Sequence, residues 1–474
     1  MISASNSYVK IERIKKKVLP LLLFKRMRRL SLLILLLFFL SSCSFFKEKP
    51  QPYPSGVFFP VERDGQVVYQ GKIIDLVERD GDRLYLSTSK GLVYCIDSVK
   101  RTVLWKSEVF SGLMSPPSLG AHNLYLYDEN GVLYCLSKEG RLLWKKEVGE
   151  NITSRVCEAR DTACFGTEKG IILALEPSSG RELWRFQTQG AIRSTPVFVD
   201  GRFIFGCDDH KLYLLSDKGE LIGSIKVGDK IQASPLVMEK NLYFGSDDHY
   251  FYCFNLKKLR RKWKVKTGGN IFTPAVTDGK RVLFLCFNNV LYCLNRRNGH
   301  ILWWGMIPSR SYYHLEVSGG RVVVSSLSSV VAGFDIETGK RVGEFDAGQE
   351  LRSNPVWLNP YLLINIYDDQ KEEGRLLFLK KIIRVSLKPS KNSPLKVGEE
   401  VAFTASARGF YLPKYEFYLK KGNEKEIVQE RSEKESWVWF PEKAGEYMVG
   451  VRVTDEKESA SAEIPFKVEN DSIL

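Results

Sequence analysis

Tryptophan recurs along this chain at an almost constant spacing. Successive members of the series lie 39, 40, 79 and 40 residues apart: Trp105, Trp144, Trp184, Trp263 and Trp303. The interval of 79 spans two periods, with Gly223 at the missing position, and Gly343 follows 40 residues after Trp303. A period of this length is typical of proteins built from one repeated supersecondary unit. The chain is therefore expected to fold as a series of similar units that stack on one another.

Each repeat contains four short apolar segments separated by turn residues. A segment with proline (195–198) is followed by an aromatic segment (242–245), by a third of the type 133–136, and by a glycine turn before tryptophan (180–184). Four strands in about 40 residues are the signature of a β-propeller blade. We expect each tryptophan to wedge against the next blade. Small residues at one position of the third strand would allow this close approach: Cys95, Cys135, Ala174, Cys253, Cys293 and Gly333.

The two ends of the repeat region decide the number of blades. Seven complete units run from about Ile73 to Ala347, and segments 355–358, 362–366 and 376–379 supply only three more strands. The missing fourth strand is available at 67–69, before the first complete unit. Joining both ends in one blade removes an exposed sheet edge, which is a hazard for β-proteins. The prediction is an all-β protein with an eight-bladed propeller over residues 61–381; seven blades with unpaired ends is the alternative.

The N-terminus has the features of a secretory signal. Basic residues at 25–29 precede the apolar run 30–40, which is too short for a comfortable membrane span, and Leu-Ser-Ser-Cys follows at 40–43. This tetrapeptide resembles the bacterial lipobox, which implies that Cys43 becomes a lipidated N-terminus after cleavage. We predict a lipoprotein signal peptide at 1–42, with translation starting at Met27, and a flexible tether at 43–60. The location would be the outer membrane facing the periplasm, or the outer side of the cell membrane in a single-membrane bacterium.

Residues 382–470 differ in style from the repeats. Segments 397–403, 415–419 and 445–453 alternate apolar and polar residues, as half-buried strands do. Short strands with polar turns predict a small immunoglobulin-like β-sandwich. The run Trp437-Val438-Trp439-Phe440-Pro441 ahead of Tyr447 resembles the triple-tyrosine type of this domain on envelope proteins. Such a module binds or spaces, so no catalysis is expected from it.

The repeat itself resembles a known family. The segment from Ala174 to Trp184 and the turn 334–340 are similar to the PQQ-like repeat of quinoprotein dehydrogenases. A lipidated eight-bladed propeller of this length looks most like the BamB family, which implies a non-enzymatic scaffold in outer-membrane β-barrel assembly. The quinoprotein enzymes hold their cofactor over a vicinal cysteine pair beside calcium. This chain has no Cys-Cys dipeptide and no suitable acidic loop, so we expect no cofactor.

Charge and cysteine usage exclude other classes. The net charge is +14, but residues 1–42 carry nine basic residues and one acid, so the remaining chain is only mildly basic. Binding to nucleic acid is therefore not expected. None of the nine cysteines has a spacing that suits zinc, and those at the repeated position are expected to be small buried thiols. With five histidines and no catalytic triad spacing, acid–base catalysis has few candidates.

Two groups of polar residues are candidate sites. One occupies equivalent loops 39 residues apart and offers carboxylates and imidazoles to a divalent metal: Asp208, Asp209, His210, Asp247, Asp248 and His249. Turn formation explains these residues better, since Asp favours turns for backbone reasons. The other is a candidate basic interaction face around Trp263: Lys257, Lys258, Arg260, Arg261, Lys262, Arg296 and Arg297. Phospholipid, anionic glycan or an acidic protein could bind there, although a solvated loop is the simpler interpretation.

The connections between strands suggest that charge is separated by face. In a four-stranded blade the first and third connections emerge at one end, and the second and fourth at the other. The sequence suggests a basic face at the former and an acidic face at the latter. The leading hypothesis is an envelope scaffold that binds a protein partner, with the β-barrel assembly machinery as the candidate. The alternative is a surface-anchored module for a ligand or glycan.

Overall fold

The computed structural model describes residues 61–108, 112–318, 320–358, 361–410, 413–455 and 459–470. Every regular element in these ranges is a β-strand. The same ranges contain no helix of the length and apolarity needed to cross a membrane. Cys43, the predicted signal peptide and the predicted tether lie outside the described residues.

Seven sheets are each built from four strands that follow one another in the chain. We number them blades 1 to 7. Their strands are, for blade 1, β2 (Glu78–Asp80), β3 (Arg83–Ser87), β4 (Leu92–Asp97) and β5 (Thr102–Glu108); for blade 2, β6 (Ser118–Leu119), β7 (Asn123–Tyr127), β8 (Val132–Ser137) and β9 (Leu142–Glu147); for blade 3, β10 (Cys157–Ala159), β11 (Thr162–Gly166), β12 (Ile171–Leu175) and β13 (Glu182–Gln187); for blade 4, β14 (Val197–Val199), β15 (Arg202–Gly206), β16 (Lys211–Ser216) and β17 (Leu221–Lys226). They continue, for blade 5, with β18 (Leu236–Met238), β19 (Asn241–Gly245), β20 (Tyr250–Asn255) and β21 (Arg260–Lys266); for blade 6, with β22 (Val276–Thr277), β23 (Arg281–Cys286), β24 (Val290–Asn295) and β25 (Ile301–Met306); for blade 7, with β26 (Glu316–Ser318), β27 (Arg321–Ser325), β28 (Val330–Asp335) and β29 (Arg341–Asp346).

The eighth blade joins the two ends of the repeat region. It contains β30 (Val356–Leu358), β31 (Tyr361–Asp368), β32 (Glu373–Lys381) and, as its outer strand, β1 (Val61–Gln70). β1 runs antiparallel to β32, with a bulge between Arg63 and Gly65. The prediction of eight blades with one blade closed by both ends is confirmed, and the seven-bladed alternative is wrong.

Burial explains which residues form each strand. The second and third strands of a blade are continuous apolar runs, as in β3 and β4, because neighbouring blades cover both faces of the sheet. The outer strand alternates between half-buried and exposed residues, as in β13, because only its root reaches the neighbouring blade. Separate apolar clusters fill every interface between successive blades, including the one between blade 8 and blade 1.

The repeated tryptophans pack against the following blade, as predicted from the sequence. Trp144 lies against Gly180 in the third connection of blade 3, and its indole Nε1 donates to the carbonyl oxygen of Pro177 at 2.9 Å. Glycine stands at the equivalent contact in four further interfaces: Gly140, Gly219, Gly299 and Gly339. All five glycines have φ between 69° and 83°, and a Cβ on any of them would lie within 2.8 Å of an indole ring. This contact requires glycine for both its conformation and its size.

Blades 4 and 5 exchange the large and small partners of this contact. Gly223 replaces the tryptophan, and Leu259 replaces the glycine of the next blade at φ 49°. Leu214 also pairs with Gly223 across the sheet, where Cys135 pairs with Trp144 in blade 2. A Cβ on Gly223 would lie 2.7 Å from Cδ1 of Leu259. Bulk lost from the outer strand is therefore restored by residues on either side of it.

The C-terminal strands form two sheets around one apolar core. The first sheet has three strands in the order β33 (Arg384–Pro389), β35 (Val401–Arg408) and β38 (Ser436–Trp439). The second has five in the order β34 (Leu395–Lys396), β40 (Ser459–Glu469), β39 (Gly445–Thr454), β36 (Lys414–Lys421) and β37 (Glu424–Ser432). This is a β-sandwich. Its assignment to the triple-tyrosine immunoglobulin-like type stays a prediction.

Candidate functional site

The second connections within blades and the connections between blades lie at one end of the sheets, because successive strands alternate in direction. We call this end the connection face. In blades 4 to 7 it is formed by residues 207–210, 246–249, 287–289, 227–235, 267–275 and 307–315. It contains the six acidic and histidine residues that the sequence put forward as weak metal ligands.

Local hydrogen bonds occupy most of those side chains. Asp209 accepts a hydrogen bond from the hydroxyl of Tyr213 at 2.5 Å, and Asp248 accepts one from Tyr252 at 2.7 Å. His210 and His249 have φ of 69° and 66°, the left-handed conformation that tight turns require. Within the described ranges no group of three His, Cys, Asp or Glu side chains could hold a metal ion. Turn formation accounts for these residues.

The remaining carboxylates are crowded around two cations. Asp208 lies 3.6 Å from Nζ of Lys230 and 3.3 Å from Nε of Arg193, and Gln232 donates to Asp247 at 3.1 Å. One oxygen each of Asp208 and Asp247 is buried without a hydrogen-bond partner in the described part of the chain. Burial raises the pKa of Asp247 to about 6, with Asp229 and Asp208 adding to the effect. The fold therefore retains charge here at a cost in stability.

Replacing Asp247 by Asn should stabilise the protein at neutral pH. A raised pKa means that the folded state binds a proton more tightly than the unfolded state, so stability falls as pH rises toward about 6. The gain should be on the order of 1 kcal/mol at about pH 7.5, after allowance for partial exposure, and should vanish near pH 4. Urea unfolding at both pH values measures it. Asp161→Asn, at an exposed turn, is the matched control; an equal gain at both pH values would contradict the electrostatic explanation.

An exposed aromatic cluster lies on the same face. The ring centroids of Phe272 and Phe287 are 5.2 Å apart, and that of Tyr312 lies 5.4 Å from Phe287. Tyr312 is 52% exposed, and the guanidinium of Arg310 lies 4.6 Å from the Phe287 centroid. Met114, at the repeat position of Phe272 and Tyr312 in blade 2, is 59% exposed. The sequence analysis missed this cluster, although Phe287 stands where blades 4 and 5 have aspartate.

Polar residues from several blades meet close to the propeller axis. Arg155 donates to the carbonyl oxygen of Pro117 at 3.0 Å and forms an ion pair with Glu78. Burial, with Arg155 nearby, lowers the pKa of His314 to about 4, so its imidazole is neutral at pH 7. Burial also raises the pKa of Asp75, which Arg155 opposes. Arg155 thus links blades 1, 2 and 3 at their inner strands.

The candidate basic residues separate into two groups. Six are exposed: Lys257, Lys258, Arg260, Arg261, Lys262 and Arg297. Arg296 departs from the prediction, because its side chain is 8% exposed, bonds to Glu239 at 2.9 Å and donates to the Gly279 carbonyl at 2.8 Å. Arg296 is therefore a structural residue and not part of a free surface.

The predicted separation of charge between faces is also wrong in its simple form. On the connection face, cations pair with the acids: Arg193 with Glu168, Lys230 with Asp208, and Arg352 with Glu350. On the opposite face, acids pair with the cations: Asp80 with Lys138, Asp217 with Arg160, and Glu239 with Arg296. The sequence analysis counted one sign on each face, whereas turns of neighbouring blades approach closely and place opposite charges together.

The fold and this face define a class, the eight-bladed propeller of PQQ-like repeats with an interaction surface on its connections. Residues 63–185, 168–272 and 265–358 match the family described as outer membrane protein assembly factor BamB. Because these segments span more than half of the chain, the chain belongs to that family.

Individual relatives are more distant. Tetrathionate hydrolase of Acidithiobacillus ferrooxidans is 25% identical over 186 residues, which cover 35% of this chain and 30% of that protein. The outer membrane protein assembly factor BamB of Yersinia pestis is 22% identical over 305 residues, covering 60% and 69%. The chain thus spans about a third of the hydrolase's length. The crystal structure of BamB from Moraxella catarrhalis shares the fold, with a TM-score of 0.56 and 18% identity over 66% of this chain and 98% of that one.

Proposed function

We propose that this chain is a non-enzymatic scaffold of the bacterial envelope that binds a protein partner in outer-membrane β-barrel assembly. Membership of the BamB family over residues 63–358 carries the proposal, since that family is described by this process. The BamB of Yersinia pestis, similar over 60% of this chain, supports it. The proposal includes export and lipid anchoring at Cys43, which rest on the Leu-Ser-Ser-Cys sequence at residues 40–43.

The connection face is the surface proposed to bind the partner. Interfaces are enriched in aromatic residues, methionine and arginine, and a few such residues dominate the binding energy. The cluster of Phe272, Phe287 and Tyr312 supplies such residues, with Arg310 beside it. The unpaired oxygens of Asp208 and Asp247 supply hydrogen-bond acceptors two blades away. A partner that offers apolar side chains next to donors would satisfy both groups.

Affinity purification from detergent-solubilised membranes tests this proposal. Wild-type protein should recover a component of the β-barrel assembly machinery, and the double variant Tyr312→Ala with Met114→Ala should recover at least about tenfold less. Both side chains are more than half exposed, so their removal should leave the fold unchanged.

Val99→Ala with Leu142→Ala is the matched control, since these side chains are 69% and 48% exposed and lie off the connection face. The control should bind as the wild type does. Recovery that is unchanged in the test variant, or lost in the control alone, would contradict the choice of face. Retention on a glycan matrix with no envelope protein recovered would favour the ligand-binding alternative.

A further inference from the structure

The outer strand of blade 5 carries a dense run of cations. β21 has the sequence Arg-Arg-Lys-Trp-Lys-Val-Lys, and Lys257 and Lys258 precede it. We call residues 257–266 the basic rim. All seven of its cations are exposed. The sequence contains no Asp or Glu between Asp248 and Asp278, so the basic rim is not balanced by acids of its own blade.

The other outer strands differ from the basic rim. Strands β5, β9, β13 and β29 each contain an acid, whereas β17 has one cation and β25 has none. Strand β1, at the outer edge of blade 8, also contains acids. The concentration of positive charge is therefore particular to blade 5 and is not a property of the repeat.

No carboxylate in the described ranges pairs with these cations. Of their side chains, Lys262 bonds to the amide oxygen of Asn241 at 3.0 Å, and Nζ of Lys264 lies 3.8 Å from the ring centroid of Tyr250. Elsewhere on the propeller cations meet acids across blade boundaries, as Lys138 meets Asp80 at 2.7 Å. The basic rim thus presents positive charge that the propeller does not neutralise.

Exposed aliphatic side chains flank the basic rim on both sides. Leu221 and Ile222 of blade 4 are 53% and 47% exposed, and β17 contacts the basic rim through Gly223 and Leu259. Ile301 and Leu302 of blade 6 are 46% and 48% exposed, and Trp263 packs on Gly299 two residues before them. Cations and aliphatic side chains therefore lie together along the outer edge of three consecutive blades.

We propose that this edge lies against the surface of an anionic bilayer. Lys and Arg bind phosphate headgroups, while neighbouring aliphatic side chains enter the boundary between headgroups and acyl chains. An acidic protein would match the charge but would leave the flanking aliphatic pairs without a role. The basic rim is separate from the connection face, so edge-on docking would leave that face accessible to a protein. The inference does not depend on the identity of the scaffold's partner.

Lysine labelling on vesicles tests the proposal with the full chain. The protein is reconstituted on vesicles containing about 30% phosphatidylglycerol or only phosphatidylcholine, and treated with a membrane-impermeant amine reagent. Mass spectrometry then gives a rate for each lysine. Lys258, Lys264 and Lys266 should react at least about fivefold more slowly on the anionic vesicles, and about 0.5 M salt should remove the difference.

Lys100, Lys145 and Lys218 are internal controls, since they are exposed on the outer strands or third connections of other blades. Their rates should not depend on the lipid. The triple variant Lys258→Glu, Arg260→Glu, Lys266→Glu should lose the protection at Lys264. The variant Lys100→Glu, Lys145→Glu, Lys218→Glu, with the same change in net charge, should keep it.

Equal labelling of all six lysines on both kinds of vesicle would overturn the proposal. Protection that appears only when envelope proteins are added would also overturn it and would identify an acidic protein as the occupant. The basic-rim variant should still recover the partner of the connection face in affinity purification. Failure of membrane docking is therefore distinguishable from failure of the scaffold function.

Discussion

Deletion of residues 61–70 is expected to destabilise the propeller more than any single substitution. β1 pairs along its whole length with β32 and buries Val67 and Tyr69, whose hydroxyl donates to Asn365 at 2.9 Å. Losing two buried side chains and a ladder of hydrogen bonds should remove roughly 5–10 kcal/mol, which is comparable with the whole stability of a domain. Circular dichroism melting measures the loss, and deletion of the predicted tether at 44–56 is the control.

Two point variants keep this prediction testable if the deletion does not fold. Tyr69→Ala should cost about 3–5 kcal/mol, because the side chain is 3% exposed and lies in the interface between blades 8 and 1. Val68→Ala, one residue earlier and 42% exposed, should cost less than about 1 kcal/mol. Similar melting temperatures for both deletions, or for both point variants, would show that ring closure contributes little.

Gly180→Ala should be the most damaging conservative change at the interface between blades 2 and 3. The new Cβ would lie 2.8 Å from Cε3 of Trp144, and the residue has φ 69°. A left-handed alanine costs about 1–2 kcal/mol, and forcing a methyl group against a packed indole adds about 1–3 kcal/mol. Urea unfolding should therefore show a total loss of roughly 2–5 kcal/mol.

Gly201→Ala separates the two contributions. Gly201 has φ 74°, but nothing lies within 4 Å of its added Cβ, so the variant carries the conformational cost without the collision. Gly180→Ala should exceed Gly201→Ala by about 1–3 kcal/mol. Equal losses would mean that the indole of Trp144 moves aside freely and that the wedge is not a rigid contact.

The sequence analysis reached the connection face through its turn residues but missed the feature with the strongest binding chemistry. Phe272, Phe287 and Tyr312 belong to three different connections, and no local spacing relates them. The substitution of Phe287 for the aspartate of blades 4 and 5 was the available signal. It could have marked the position as unusual, but only stacking of blades 6 and 7 shows that the three rings meet.

What the sequence by itself determined is the repeat: four strands per period, a tryptophan on the outer strand, and an eighth blade completed by the N-terminal strand. These features follow from periodicity and burial, which act on neighbouring residues and are visible along the chain. Tertiary structure decided which charged and apolar groups meet. Arg296 is buried because Glu239, 57 residues earlier, approaches it from the preceding blade. Leu259 replaces glycine because Gly223 leaves space beside it. Such pairs depend on the rotation between blades, since stacking around the ring brings together residues that no spacing in one repeat relates.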